Sequence, residues 1–100
     1  MKSKEYKTGL LTRLKDPDYA AGYLADVLEN ESQEAFLIAV KNILDARSAN
    51  ITKFSKKSGL SRQALYHALS KRGNPRLSTL NQILKAAGLK IVFESEKKAA

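Results

Sequence analysis

The chain is 100 residues long with 43% apolar residues, enough for one modest core and too little for two. It carries a formal net charge of +8 and no cysteine, which excludes a disulfide framework and a thiolate metal site and fits a reducing cytoplasm. No apolar run approaches the ~20 residues of a membrane span. The basic start Met1-Lys2-Ser3-Lys4 leads into no apolar segment of the kind a secretory signal needs, so the expected location is the cytoplasm.

Residues 1–15 hold five basic side chains and one acid, and their only apolar grouping is Leu10, Leu11 and Leu14. They read as a partly disordered N-terminal arm whose leucines can dock on the body. Asp16-Pro17 reads as a helix start, an N-cap aspartate followed by proline at the first helical position. Tyr19/Ala20, Tyr23/Leu24 and Val27/Leu28 then recur at helical spacing to about Glu29. Asn30-Glu31-Ser32 breaks the pattern. Ser32 is placed to cap the next helix, with Glu34 in its first turn where negative charge suits the dipole. Ala35, Phe36, Ala39, Val40, Ile43 and Leu44 form its apolar stripe.

After the short connection Arg47-Ser48-Ala49, residues 50–70 read as a helix-turn-helix. Asn50 would cap a first short helix with Ile51, Phe54 and Ser55 on its inner face. Gly59 stands where the chain must turn sharply, and glycine tolerates the left-handed backbone such a turn often needs. Leu60 is an apolar plug, and Ser61 is placed to cap a second helix. Leu65 and Leu69 face inward, with Ala68 beside them. The outer face carries Arg62, Gln63, Tyr66 and His67, side chains suited to base edges and phosphates. A purely structural pair of helices is the plainer alternative.

Lys71-Arg72-Gly73-Asn74-Pro75 reads as a turn. A fifth helix follows, in which Leu77, Leu80, Ile83, Leu84 and Ala87 share a face and Gly88 closes the element. From Leu89 the period changes from 3.6 to 2, with Leu89, Ile91 and Phe93 on one side and Lys90 and Glu94 on the other. This predicts a short C-terminal β-strand. A lone strand leaves backbone groups unpaired, so Leu89, Ile91, Val92 and Phe93 are expected to form a homodimer interface or to meet a partner protein. Residues 95–100 read as a flexible tail.

Charge is distributed in blocks. Residues 16–45 carry seven acids against Lys41 alone, whereas residues 46–93 carry ten basic side chains and no acid. A merely solvated surface intersperses its signs, so an acid-free stretch of 48 residues points to a polyanion as partner. Lys53, Lys56, Lys57, Lys71, Arg72 and Arg76 form the electrostatic set, and their neutralisation of phosphates predicts strong salt dependence. Arg62 can pair bidentately with guanine or grip a phosphate, and Gln63 can pair with adenine. His67 lies one turn beyond Gln63, as a contact or as a surface residue without a role. Tyr66 either donates its hydroxyl to a phosphate or covers an edge of the core. One histidine, no glycine-rich phosphate loop and no metal-ligand spacing argue against an enzyme, and no cofactor is expected.

The run S-G-L-S-R-Q-A-L-Y-H-A-L-S-K-R-G-N-P-R-L-S-T-L-N-Q-I-L-K-A-A-G-L resembles the Xre/Cro-type helix-turn-helix of addiction-module antidote proteins, the HigA-like antitoxins. D-P-D-Y-A-A-G-Y-L and A-F-L-I-A-V-K-N-I-L look like the N-terminal part of the same group. The likeness covers about residues 16–93. It implies an all-α, five-helix Xre/Cro (lambda-repressor-like) DNA-binding domain over residues 16–94 that dimerises and represses its own operon. It also implies a cognate toxin of the RelE/HigB-like ribonuclease fold, neutralised by direct binding. By matching position, the base-reading residues fall on Ser61, Arg62, Gln63 and His67. Asn50 and Thr52 would touch the DNA backbone, joined by Lys71, Arg72 and Asn74 after the second helix. Lys53 and Tyr66 complete the backbone-contact set from their own chemistry. Arg76 departs from the pattern, standing where a serine or threonine often caps the fifth helix. A dimer would set two reading helices ~34 Å apart and call for a roughly palindromic operator on double-stranded DNA. The acidic helices complement a basic toxin or, alternatively, keep the module soluble. The rival functional reading is a stand-alone Xre/Cro-type regulator without a toxin.

Overall fold

The structure, a computed structural model, describes residues 4–70 and 73–96. Among them are six α-helices: α1 (Lys4–Arg13), α2 (Pro17–Asn30), α3 (Gln33–Ala46), α4 (Ile51–Ser58), α5 (Arg62–Ala68) and α6 (Leu77–Ala86), with one 3-10 turn at Ser48–Asn50. The five helices expected from periodicity are α2 to α6. Two elements differ from expectation.

The first is α1, where an arm was expected. Its leucines recur at positions 10, 11 and 14, and Leu10 and Leu14 are fully buried on the body, with the Leu14 N–H bonded to the Leu10 carbonyl at 2.9 Å. Helix α1 packs on α3. Lys7 adds a polar clasp, donating to Asn42 Oδ1 at 3.3 Å and pairing with Asp45 at 3.6 Å, while Asn42 donates to the Tyr23 hydroxyl at 3.0 Å. Burying two leucines contributes roughly 1.5–3 kcal/mol each, whereas an exposed ion pair contributes about 1 kcal/mol or less. The leucines hold α1 in place.

The second difference is the C-terminus. No β-strand forms among the described residues, and residues 89–95 adopt no regular element. Alternating side chains are only half of what a strand requires. The other half is a neighbouring ladder of backbone groups, and the described residues, whose regular elements are all helical, supply none. The Leu89 N–H instead bonds back to the Leu84 carbonyl at 2.9 Å. Ile91, Val92 and Phe93 follow exposed, Phe93 at 92%.

Two helix starts are capped as their residues dictate. Asp16 accepts from the Asp18 N–H at 3.0 Å ahead of Pro17, and Ser32 accepts from the Ala35 N–H at 3.1 Å. Arg76 provides no side-chain cap for α6, consistent with its departure from the family pattern. The core joins Leu24 of α2, Ala39, Val40, Ile43 and Leu44 of α3, Ile51 and Phe54 of α4, Leu65 and Leu69, and Ile83 and Leu84 of α6. Leu77 departs from the stripe read in the sequence, because it opens α6 at 69% exposure. Gly88, with φ +86°, turns the chain out of α6 beside Pro17, which lies 3.5 Å from where a Cβ would stand.

Candidate nucleic-acid interface

Helix α4 is anchored by Ile51 and Phe54, both buried, with Ser58 (4% exposed) completing the inner face. The chain leaves α4 at Gly59 in the left-handed conformation, φ +74°. Only glycine takes this backbone without strain. Its N–H closes on the Ser55 carbonyl at 3.0 Å.

Side chains tie the turn together. The Ser55 hydroxyl donates to the Leu60 carbonyl. Ser58 Oγ donates to the Ser55 carbonyl at 3.0 Å and accepts from the Leu60 N–H at 3.2 Å. From α6, Gln82 Nε2 donates to the Ser58 carbonyl at 3.1 Å. The Gly59 and Leu60 N–H groups and the Ser55, Ser58 and Leu60 carbonyls thus all find partners at the turn, as part-buried backbone groups require. Leu60 is half-buried against the core, as its place after the turn suggests.

Ser61 then caps α5, accepting from the Ala64 N–H at 3.0 Å. Leu65 and Leu69 are buried beneath this helix, at 0% and 4% exposure. Their burial fixes its rotation. Gln63 and His67 are left exposed on the opposite side, Arg62 is exposed at the first position of the helix, and Tyr66 is half-buried against the core cluster. The hydroxyl of Ser61 retains a proton to donate while its lone pair holds the cap. Four residues singled out for base contact thus come from one short helix and its cap.

Three of the expected backbone contacts also converge. Asn50, Thr52 and Lys53 line a depression of about 360 Å³ at the start of α4, joined by Lys56. Asn50 does not serve as the cap expected of it. It ends the 3-10 turn, its N–H bonded to the Arg47 carbonyl at 2.9 Å, and its side chain makes no capping bond to α4. The amide is thereby left available for a ligand. Asn74 is exposed beyond α5, whereas Lys71 and Arg72 lie outside the described residues. Among the described residues the two ion pairs are Lys7–Asp45 and Lys41–Asp45, both in the N-terminal half. The cations of α4 and α5 face no acid from their own stretch of chain, since residues 46–93 contain none.

Sequence reasoning missed the serine and glutamine contacts of the turn. Ser58 carries no periodic signal, being polar at a buried position, and Gln82 lies 24 residues away on another helix.

A family model described as "probable addiction module antidote protein" matches residues 6–95. An uncharacterised protein of Haemophilus influenzae (strain ATCC 51907 / DSM 11121 / KW20 / Rd) is 34% identical over 75 residues, covering 75% of each chain. No solved structure matches.

Proposed function

The chain belongs to the addiction module antidote family, a membership that implies an antitoxin role and a toxin partner, and on that premise we propose that it also represses its own operon by binding DNA. The reading is a cytoplasmic HigA-like antitoxin whose α4–turn–α5 unit is an Xre/Cro-type helix-turn-helix. One observation carries it: α5 presents Arg62, Gln63 and His67 outward over a buried leucine pair, in an acid-free stretch. In a major groove, Arg62 would pair with guanine O6 and N7 and Gln63 with adenine N6 and N7, each discriminating by about 1–3 kcal/mol. Ser61 and His67 would extend the reading. Asn50, Thr52, Lys53, Tyr66, Lys71, Arg72 and Asn74 would set the register on the phosphates.

The toxin would be of the RelE/HigB-like fold, a basic protein drawn to the acidic α2–α3 hairpin, where Asp18, Asp26, Glu29, Glu31 and Glu34 are exposed. A homodimer would form through the exposed apolar segment from Leu89 to Phe93 and present two α5 helices to a palindromic operator.

The test is a gel shift on the protein's own promoter. Wild type should bind, and the double variant Arg62→Ala/Gln63→Ala should lose sequence preference while its helical circular dichroism stays unchanged. No binding by wild type would sink the repressor reading. The toxin reading is tested apart from it, by co-purification with the product of the adjacent small open reading frame. Absence of a complex would favour a stand-alone regulator.

A further inference from the structure

A second pocket lies on the other flank of α4, between this helix and the end of α6. It holds about 170 Å³ and is lined by Arg47, Asn50, Lys53, Phe54, Lys57 and Ala86. Lys53 and Lys57 are four residues apart on α4 and share one face of it, and Asn50 stands just before its first turn. Arg47 closes the pocket from the end of α3. Its Nη2 donates to the Ala87 carbonyl at 3.2 Å, which fixes the guanidinium, while its Nε is buried with no hydrogen-bond partner.

Three cations thus meet in one depression without a counter-charge. The carboxylate nearest in sequence, Asp45, is already engaged by Lys7 at 3.6 Å and Lys41 at 3.9 Å, and the next 48 residues contain no acid. Like charges gathered this way repel one another, and an unpartnered buried donor calls for a specific explanation. An anion accounts for both. The volume is below the ~300–1,000 Å³ of pockets that hold whole drug-sized molecules, so the pocket suits a charged group. Arginine, lysine and an amide lining one small depression are donors for phosphate oxygens.

We propose that the pocket of Arg47, Asn50, Lys53 and Lys57 is a phosphate-binding site. Arg47 belongs to none of the base-reading, backbone-contact or electrostatic sets, and Lys57 belongs only to the last. The bound group is supplied either by free phosphate or by a backbone phosphate of duplex DNA, and the second source alone rests on the DNA-binding reading.

The experiment is a titration of the full chain with inorganic phosphate, followed by amide chemical shifts, with chloride of equal ionic strength as control. Amides of residues 47–57 should shift saturably, while those of 62–67 stay in place. Lys57→Gln should weaken the affinity by about threefold to tenfold, within the range of a partly exposed charge-assisted hydrogen bond. Lys15→Gln removes the same charge elsewhere and should leave it unchanged. Shifts no larger than with chloride, or equal weakening by both variants, would overturn the proposal whatever the DNA result. The source follows from duplex binding measured against salt. A decrease of about one in the slope of log K against log salt for Lys57→Gln assigns the pocket to a DNA phosphate. An unchanged slope, with the phosphate titration positive, assigns it to free phosphate. Failure of wild type to bind its promoter would remove the repressor reading and leave the titration standing.

Discussion

Glycines 59 and 73 occupy neighbouring turns for different reasons, and their substitutions should separate the two. Gly59 needs its left-handed backbone, but an added Cβ would find space, its nearest neighbour being Gln82 Nε2 at 3.6 Å. Gly59→Ala should therefore cost about 1–2 kcal/mol, the price of the backbone conformation alone. In a domain of this size that lowers the melting temperature by about 4–8 °C per kcal/mol. At Gly73 a Cβ would stand 2.4 Å from the His67 carbonyl oxygen and 2.5 Å from that of Ala68. These are backbone atoms at the end of α5 and cannot swing aside. Gly73→Ala should displace α5 as well as destabilise the fold, and thermal melts read together with amide shifts of residues 62–68 check the difference. Ser58→Ala should cost about 1–3 kcal/mol by leaving the part-buried Leu60 N–H without its acceptor. A Ser58→Ala melt within 0.5 °C of wild type would show that water replaces the hydroxyl.

At the scale of elements, α1 belongs to the folded body. Leu14 is 0% exposed, and Leu14→Ala should cost about 2–5 kcal/mol in urea denaturation, as for other buried leucines. Lys7→Ala should cost less than about 1 kcal/mol, because its side chain is half exposed and its ion pair is screened by solvent. An equal loss in the two variants would mean that the clasp, and not the leucines, holds the helix. The starts of α2, α3 and α5 were legible because a cap is a local device. Asp16, Ser32 and Ser61 each bond to an N–H two or three residues on, so sequence spacing contains the whole interaction. Asn50 failed as a cap because a 3-10 turn precedes α4 and fixes its backbone at φ −125°, ψ 37°. Exposed apolar positions such as Leu28, Ile38 and Leu77 were not legible, because a stripe does not say how much of its width a neighbour covers.

For the whole molecule, the C-terminal segment carries the prediction. Val92 is 65% exposed and Phe93 92%, an apolar run that a second copy would cover in the proposed dimer. The chain should sediment as a dimer, and Val92→Asp/Phe93→Asp should yield monomers of unchanged helicity. A dimer that survives both substitutions places the interface elsewhere. The sequence by itself determined what local chemistry encodes: the helical class, five of the six helices among the described residues, the left-handed turn at Gly59, the exposed face of α5 and the segregation of charge. Only the tertiary structure decided the rest. It made a helix of residues 4–13 by giving Leu10 and Leu14 a surface, and it withheld a strand from residues 89–95 by offering no partner edge. It also brought Gln82 to the turn and Arg47 beside Lys53 and Lys57. In each case the deciding partner lies on another element, beyond the reach of any local spacing.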